Sequence, residues 1–424
     1  MNIAIVSDVF PPKSGGSGWS SFYLARALQQ KGHSVNIVVP KEGPKFGQAE
    51  REYEGLVVTE FIYEAARLPF IRNYTRNEQL YPRFAEFLTT FFKEHQIDLA
   101  HGQHYLTIPP TVMAAEKLAI PSVATVRDYW PVCYWTTHLT GEKVCPGCSE
   151  LNRLRCLYNN QGLSGIIAAP ASIYMGANLR LKQQWLARAD RILAVSSYVA
   201  GKLRPFVPEE RLLVVPNFID VARLELLTTE PPRTPEASQP YLLFTGKLEE
   251  NKGTRILLEV LRQVRPALPT LIAGEGKLQE EVKEAIARDN LNVKLLGWVE
   301  NEEVLRLMRH SEALLFPSLW PEPLSRVTLE AQGAGALVVG MNTGGTPDVV
   351  QDGYNGLLAP DAATMAARLQ EILQPEKAAE RARMKENARQ VAREKFSQEV
   401  VLDRVEEIYR QLLGSKNFLK KASL

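Results

Sequence analysis

The chain has 424 residues, of which 45% are hydrophobic and 23% are charged. This length favours two domains over one, and the composition excludes a fibrous or disordered protein. Its 50 basic and 48 acidic side chains leave a net charge of +2, which gives no reason to expect nucleic acid as a partner.

The amino terminus is a short apolar run without the basic flank or the length of a signal peptide. No stretch of the sequence approaches the ~20 apolar residues of a membrane span. We therefore expect a cytoplasmic protein. The apolar segment 162–174 leaves peripheral contact with the inner membrane face open, although a buried loop or helix is the simpler interpretation.

Short apolar runs alternate with helical stretches through the first half of the chain. The pattern predicts a strand at 3–6, a helix at 19–30 and a strand at 34–39, which is the βαβ order of a parallel sheet. Further predicted strands lie at 55–61, 98–101, 122–125, 191–195 and 212–215.

The segment 226–240 is rich in Pro, Thr and Glu and has no periodicity, so it is predicted to be a linker or boundary loop. After it the alternation restarts, with strands at 241–245, 270–273, 293–296, 313–316 and 336–340. Helices are predicted at 253–264, 278–289 and 301–309 and from about residue 324.

The predicted fold class is therefore α/β, with two doubly wound domains of similar size. We place the first domain at 1–221 and the second at 222–396. The remaining segment, 397–424, contains an amphipathic stretch and a basic tail. We expect it to pack back on the first domain.

Ligands of open α/β sheets bind beyond the carboxyl ends of the strands, so the loops that follow strands are the first candidates for a binding site. Gly15, Gly16 and Gly18 come after the first strand and just before a helix, where free N–H groups can bind phosphate. An ordinary flexible loop is the alternative. The spacing is not GxGxxG, and no acidic residue stands where a ribose would need one, which disfavours a nicotinamide cofactor.

The loop after strand 241–245 reads GKLEENKG. It places Lys247 and Lys252 around a turn that opens a helix. Two ammonium groups and a helix amino terminus suit a diphosphate. Solvated surface lysines are the alternative interpretation.

The segment 316–350 contains the most specific pattern. Glu322 lies in a loop, and Glu330 follows eight residues later, about two turns into a helix that starts near residue 324. The two carboxylates would then face different parts of one ligand. We expect Glu322 beside a sugar and Glu330 as an acceptor of hydrogen bonds from ribose hydroxyls.

These motifs, with NTGGTPD at 342–348 and DGYNGL at 352–357, resemble the GT-B glycosyltransferases of family four, the glycogen-synthase-like and mannosyltransferase-like group. VSSYVA at 195–200 and VVPNFID at 214–220 resemble the domain junction of that family. The resemblance implies two Rossmann-like domains that face each other across a cleft. It also implies a retaining transferase with a nucleoside-diphosphate-sugar donor and a glycan, lipid-linked or small-molecule acceptor.

The resemblance also implies roles toward the donor phosphates. Lys247 and Lys252, with Gly246, would hold the diphosphate. The family often has Arg at the first of these lysines, and Lys lacks its bidentate geometry. Gly15 and Gly16 would close over the phosphates from the other domain.

For the rest of the donor, the resemblance implies that Glu330 binds the ribose and that the backbone around Trp298 meets the base. Glu322, Leu324 and Ser325 would hold the sugar. The family commonly has Phe-Gly where Leu324 and Ser325 stand, so we expect some contacts to that sugar to differ.

A further departure follows the strand at 122–125. The family often has His-Asp where this chain has Arg127 and Asp128, and the resemblance makes both residues catalytic candidates. Arg127 either contacts the sugar or phosphate as a permanent cation, or simply pairs with Asp128 or another acid. His101 and His104, in the preceding loop, are either polar loop residues or acceptor contacts.

The resemblance implies no covalent enzyme intermediate and no cofactor for the chemistry. The sequence contains no Asp-x-Asp triplet, and lysines can do for a diphosphate what a divalent ion does elsewhere. Two alternatives stay open at this point. One is a sugar-nucleotide 2-epimerase, and the other is a donor-binding pseudoenzyme or assembly partner.

All four cysteines fall in one excursion of the first domain, residues 133–156, as Cys133, Cys145, Cys148 and Cys156. Four thiols are the number that a tetrahedral zinc site requires, and Cys145 and Cys148 have the spacing of a metal knuckle. We therefore predict a structural zinc that takes no part in the chemistry. Independent thiols, an iron–sulfur cluster and a redox-active pair are the alternatives.

Overall fold

The computed structural model describes residues 1–12, 14–67, 71–141, 143–161 and 170–422. The chain forms two compact units. Unit 1 comprises Met1–Gly141, Cys145–Pro216 and Leu402–Leu424, and unit 2 comprises Glu142–Val144 and Asn217–Val401.

Unit 1 contains an eight-stranded sheet in the order β10-β9-β6-β5-β1-β2-β4-β3. Only β3 is antiparallel to its neighbour. The strands of this sheet are β1 Asn2–Val6, β2 Ser34–Glu42, β3 Gly47–Tyr53, β4 Leu56–Tyr63, β5 Leu99–Gly102, β6 Ser122–Val126, β9 Arg191–Ala194 and β10 Leu212–Val214. The two-residue strands β7 Leu139–Thr140 and β8 Lys143–Val144 come between β6 and β9 in the chain and are not part of this sheet; β8 falls among the residues of unit 2. The helices of unit 1 are Gly16–Gln30, Ile71–Arg76, Leu80–Glu94, Ile108–Leu118, Glu150–Gln161, Ala171–Arg188 and Ser197–Leu203.

The core of unit 1 follows from the residue pattern. Strand β1 is a continuous apolar run, and its residues from Ile3 to Val6 are fully buried, as expected for a parallel strand covered on both faces. On the helix Leu80–Glu94, Phe84, Leu88 and Phe92 recur every fourth residue and are buried. This spacing places them on one helix face, which packs into the core.

Unit 2 contains a six-stranded parallel sheet in the order β13-β12-β11-β14-β15-β16. The strands are β11 Leu242–Thr245, β12 Thr270–Ala273, β13 Val293–Gly297, β14 Ala313–Phe316, β15 Val338–Met341 and β16 Gly356–Ala359. Its helices are Val221–Leu227, Thr254–Val264, Gln279–Asp289, Asn301–His310, Arg326–Ala334, Thr346–Val349, Ala362–Ile372 and Ala378–Val391. The chain order reverses between β11 and β14, so the loops after these two strands meet at the switch point, where ligands of such sheets bind.

The structure corrects several sequence-based boundaries. The first helix begins at Gly16 rather than at residue 19, and the helix expected from residue 324 begins at Arg326. Strand β3 was not predicted, because its sequence GQAEREY is polar and it lies at the sheet edge.

The Pro-rich segment 226–240 lies inside unit 2, because that unit begins at Asn217. It is tied there by Glu303, whose Oε1 accepts hydrogen bonds from the backbone N–H groups of Arg233 and Thr234 at 2.7 and 2.9 Å. The segment is therefore not a linker.

The last helix, Gln398–Ala422, carries the chain from the residues of unit 2 into those of unit 1. Within unit 1, the Tyr409 hydroxyl lies 2.6 Å from Nδ1 of His101 on β5, and Glu406 lies within 2.9 Å of both Lys31 and His33. The part of the helix that contains Glu406 and Tyr409 therefore packs on unit 1.

Part of the apolar segment 162–174 falls at 162–169, outside the described residues. Across the described ranges, no helix combines the length and the apolar character needed to cross a membrane.

Candidate functional site

The two loops at the switch point of unit 2 bring Lys252 and Glu322 together. Lys252 follows β11, Glu322 follows β14, and Nζ of the lysine lies 2.5 Å from Oε1 of the glutamate. The ammonium group also lies 4.9 Å from the centroid of the Trp320 ring, and Ser318 Oγ donates to Glu322 Oε1 at 3.3 Å. The lysine predicted to bind the diphosphate and the glutamate predicted to bind the sugar thus form an ion pair with each other.

Two glycines allow these loops to approach so closely. Gly253 has φ +75°, and a Cβ atom at this position would lie 1.8 Å from the carbonyl oxygen of Pro317. Gly344 has φ +55°, and its Cβ atom would lie 2.4 Å from the carbonyl oxygen of Glu322, to which Gly345 N donates at 2.7 Å. The backbone of Glu322 is therefore held by the loop that follows β15.

Glu330 lies on the helix Arg326–Ala334, whose N-cap is Ser325. It is buried, and its Oε1 accepts a hydrogen bond from Arg326 Nη2 at 2.8 Å. Because the helix begins two residues later than predicted, Glu330 lies little more than one turn from the helix start, not two. The carboxylate is therefore close to the positive end of the helix dipole.

The other donor candidates of unit 2 differ in exposure. Lys247 is exposed, and the Trp298 ring is 76% exposed, while Leu324 and Ser325 are buried. Trp298 N donates to Glu275 Oε1 at 3.2 Å. A large exposed aromatic ring beside a fixed backbone N–H suits a flat heteroaromatic partner.

In unit 1, Gly15 is the N-cap of the helix Gly16–Gln30, and the space around its Cα is open. Its carbonyl accepts from Gly18 N at 3.1 Å and from Trp19 N at 3.3 Å. The structure thus places both predicted glycines at a helix amino terminus, the position that favours an anion.

A polar cluster that the sequence did not predict lies at the carboxyl ends of three adjacent strands of unit 1. Asp8 follows β1, His104 follows β5 and Asp128 follows β6. Nδ1 of His104 lies 2.9 Å from Asp8 Oδ2, and Nε2 lies 2.8 Å from Asp128 Oδ2. Burial acts to lower the pKa of His104, but the two carboxylates outweigh it and raise the pKa to about 10. His104 is therefore an imidazolium ion at neutral pH.

Lys182, on the helix Ala171–Arg188, is buried near this cluster. Burial lowers its pKa to about 8, against the opposing effect of Glu78, Asp128 and Asp8. Its Nζ lies 5.0 Å from the centroid of the Tyr105 ring. Asp8 could have been noticed, because it is an acid directly after the first strand, but nothing in the sequence joins it to His104.

Arg127 donates from Nη1 to Oε1 of Gln103, in the loop after β5. Burial lowers the pKa of its guanidinium group to about 10, which still leaves a cation at neutral pH. The neighbouring Asp128 instead bonds His104 and accepts from Trp130 N at 2.9 Å. Of the two candidates in this loop, Asp128 belongs to the polar cluster.

The four cysteines were predicted to bind a structural zinc. None of these thiols, all of which are in the described part of the chain, forms a disulfide. Among the described residues, no three His, Cys, Asp or Glu side chains are arranged so that they could hold a metal ion. The thiols as placed do not fit a tetrahedral zinc, and no step of the chemistry is assigned to one.

Comparison with known proteins identifies the family. Residues 14–223 match the family model described as Glycosyltransferase Family 4, and residues 229–391 match the model described as Glycosyl transferases group 1. A glycogen synthase of Mycobacterium tuberculosis is 25% identical over 406 residues, which cover 90% of this chain and 88% of that protein. An O-antigen chain mannosyltransferase C of Escherichia coli is 28% identical over 56% of this chain and 65% of its own.

Solved structures confirm the predicted fold class. HepE from Anabaena, solved in complex with UDP, has a TM-score of 0.68 at 18% identity, covering 97% of this chain and 100% of that one. Sucrose-phosphate synthase from Thermosynechococcus elongatus has a TM-score of 0.66 at 19% identity, covering 98% and 100%. The two family matches together account for most of the sequence, and the chain therefore belongs to the family-four glycosyltransferases of the GT-B fold.

Proposed function

We propose that this glycosyltransferase moves a sugar from a nucleoside-diphosphate donor to a glycan, lipid-linked or small-molecule acceptor, with retention of configuration and without a metal ion in the chemical step. The observation that carries the proposal is the Lys252–Glu322 pair at the switch point of the unit 2 sheet, with Glu330 on the following helix. That UDP is bound in the HepE structure supports a nucleoside diphosphate as the ligand.

The charges of unit 2 suit such a donor. Negative charge develops on the departing diphosphate in the transition state, and a fixed ammonium group stabilises it. Lys252 would exchange its bond to Glu322 for the phosphate, with Lys247 as a second cation. Glu322 would then accept hydrogen bonds from sugar hydroxyls, and Glu330 would accept them from the ribose.

Retention requires the acceptor to attack the sugar on the face that the diphosphate leaves. The protein then supplies positioning and charge rather than a nucleophile. In unit 1, the carboxylate of Asp128, which His104 holds in position, would accept a hydrogen bond from an acceptor hydroxyl. Configuration of the product is read directly from the anomeric coupling constant in its proton NMR spectrum.

A panel of UDP-, GDP- and ADP-sugars, incubated with and without candidate acceptors and followed by mass spectrometry, tests the proposal. We expect transfer, or slow hydrolysis without acceptor, from one nucleotide class, and unchanged turnover in EDTA. Epimerised sugar nucleotide without acceptor would instead show a 2-epimerase. Binding of a nucleotide with no turnover of any donor would show a pseudoenzyme.

A further inference from the structure

A cavity lies in unit 1, and its lining contains none of the residues predicted to bind the donor. Its volume is about 490 Å³, which is within the range of small-molecule sites. It lies between the loop after β6, the helix Ser197–Leu203 after β9, and the helices Glu150–Gln161 and Ala171–Arg188. Because β6 and β9 are adjacent and parallel, the segments that follow them leave the same edge of the sheet, and both contribute residues to the cavity.

The lining of the cavity is cationic. Arg153, Arg180 and Lys202 line it, together with the carboxylate of Glu150. Oε1 of Glu150 lies 3.8 Å from Nη2 of Arg153, but the glutamate side chain is 90% exposed, so three cations face one solvated acid. Like charges that converge on one cavity repel one another unless an anion separates them. This excess of positive charge in the lining therefore favours an anionic ligand.

Two buried polar groups of the lining are incompletely bonded. His138 is 3% exposed and Arg153 is 9% exposed, yet Nε2 of the histidine and Nε of the arginine have no hydrogen-bond partner. Such groups are rare in folded proteins, because an unsatisfied buried donor or acceptor costs free energy. Both can donate a hydrogen bond, and both line the same cavity.

The guanidinium group of Arg153 is also held in position. Its Nη1 donates to the carbonyl oxygen of Cys148 at 2.9 Å. On the other side it packs against Gly176, where an added Cβ atom would lie 3.0 to 3.2 Å from three guanidinium atoms. A fixed, planar arginine is well suited to bind two oxygens of one phosphate group.

We propose that this cavity is a phosphate-binding site, which takes the phosphate group of a soluble compound or of an acidic lipid. The lipid source is considered because Leu151, Leu154, Tyr158 and Ile173 are exposed on the two helices that border the cavity. The first three are spaced three and four residues apart and form one stripe on their helix. The proposal does not depend on the donor site, since binding is measured without any donor.

Binding of inorganic phosphate, followed by NMR of the histidine ring protons, tests the site. The ring signal of His138 is identified as the one absent from the His138→Gln variant. We expect it to shift saturably with phosphate, and Arg180→Gln/Lys202→Gln to weaken that binding at least tenfold. These two side chains are exposed or half-buried, so their loss should leave the fold intact.

Two further variants show whether the effect on phosphate binding is specific to the cavity. Arg155→Gln removes an exposed charge from the same helix as Arg153, outside the cavity lining, and should leave phosphate binding within twofold of wild type. Gly176→Ala keeps every charge but crowds the Arg153 guanidinium, and should weaken binding. A His138 signal that does not respond to phosphate, or an equal effect of Arg155→Gln, would overturn the proposal.

Vesicles separate the two sources of phosphate. Sedimentation is compared between vesicles of phosphatidylcholine alone and vesicles with one fifth phosphatidylglycerol. Binding that needs phosphatidylglycerol and is lost in Arg180→Gln/Lys202→Gln would assign the site to a lipid headgroup. Phosphate binding without vesicle binding would assign it to a soluble phosphate compound.

Discussion

At the residue scale, the sequence located both members of the Lys252–Glu322 pair but did not predict the polar cluster of unit 1. Lys252 and Glu322 each follow a strand within one domain, so a motif search finds both. The cluster of Asp8, His104 and Asp128 depends on β1, β5 and β6 being neighbours in the sheet. Strand order is set by long-range packing and cannot be read from local pattern.

Glu330→Gln should weaken binding of the donor nucleotide. It replaces a charged acceptor of ribose hydrogen bonds, worth about 1.5 to 3 kcal/mol, which is about 10- to 150-fold in affinity. The fold should be retained, because glutamine has nearly the same volume as glutamate and its side-chain oxygen can still accept the hydrogen bond from Arg326.

Calorimetry with UDP, GDP and ADP measures this effect. Glu302→Gln removes a carboxylate from a surface ion pair with Arg223 and is the matched control, with unchanged affinity. Equal affinity of Glu330→Gln and wild type for every nucleotide would remove Glu330 from the site.

His104 should stay protonated at pH 8. Its folded pKa of about 10 exceeds the ordinary value of 6.5, so the stability that it contributes is complete below pH 6.5 and is lost as pH rises toward 10. Lys182 acts in the opposite direction, because its pKa is lowered to about 8 and the stability that it contributes rises as it loses its proton around that pH. Comparison with His104→Gln, which retains Lys182, therefore separates the contribution of His104.

The histidine ring signals, followed by NMR from pH 6 to 10, report this directly. The signal missing in His104→Gln should show no titration below pH 8. In unfolding experiments, wild type should lose up to about 2 kcal/mol between pH 6.5 and 8 relative to that variant. A midpoint near 6.5 for His104 would show that the two carboxylates do not bind it.

At the element scale, the close approach of the unit 2 loops to one another depends on glycines at the contact points. Gly253→Ala should destabilise unit 2 by about 2 kcal/mol or more, because the residue is left-handed and the new Cβ atom meets Pro317 O. Gly201→Ala, in a helix with open space around it, is the control and should stabilise by up to about 1 kcal/mol. Thermal unfolding measures both. Equal melting temperatures for the two variants would contradict the close loop packing.

The sequence pattern and the structure differ on whether the four cysteines of residues 133–156 bind zinc. The CxxC spacing still predicts zinc, whereas the placed thiols do not form a coordinating group. Elemental analysis of protein purified without chelator decides between them. About one zinc per chain, lost in Cys145→Ser, would support the pattern, and metal-free protein with four titrating thiols would exclude it.

At the scale of the whole molecule, alternation of strands and helices was enough to predict two doubly wound units. The Pro-rich segment 226–240 was predicted to be a linker or boundary loop, because its composition is typical of loops whether or not the backbone is hydrogen-bonded within a unit. Glu303 accepts hydrogen bonds from the backbone of that segment. A contact between residues about 70 positions apart in the sequence cannot be predicted from a local sequence pattern.

The lysines of unit 2 are proposed to stabilise a departing diphosphate. The most direct measurement is the turnover of Lys247→Ala/Lys252→Ala with the donor that the panel identifies, beside its melting temperature. Loss of preorganised donors of this kind costs about 10²- to 10³-fold in turnover. We predict a loss of that size, together with a lower melting temperature because Glu322 loses its ammonium partner, while Lys283→Ala/Lys294→Ala, at exposed positions of the same unit, keeps normal turnover. Turnover is measured below the melting temperature of the variant, so that unfolding does not account for the loss. Normal turnover of the Lys247→Ala/Lys252→Ala variant would contradict the account.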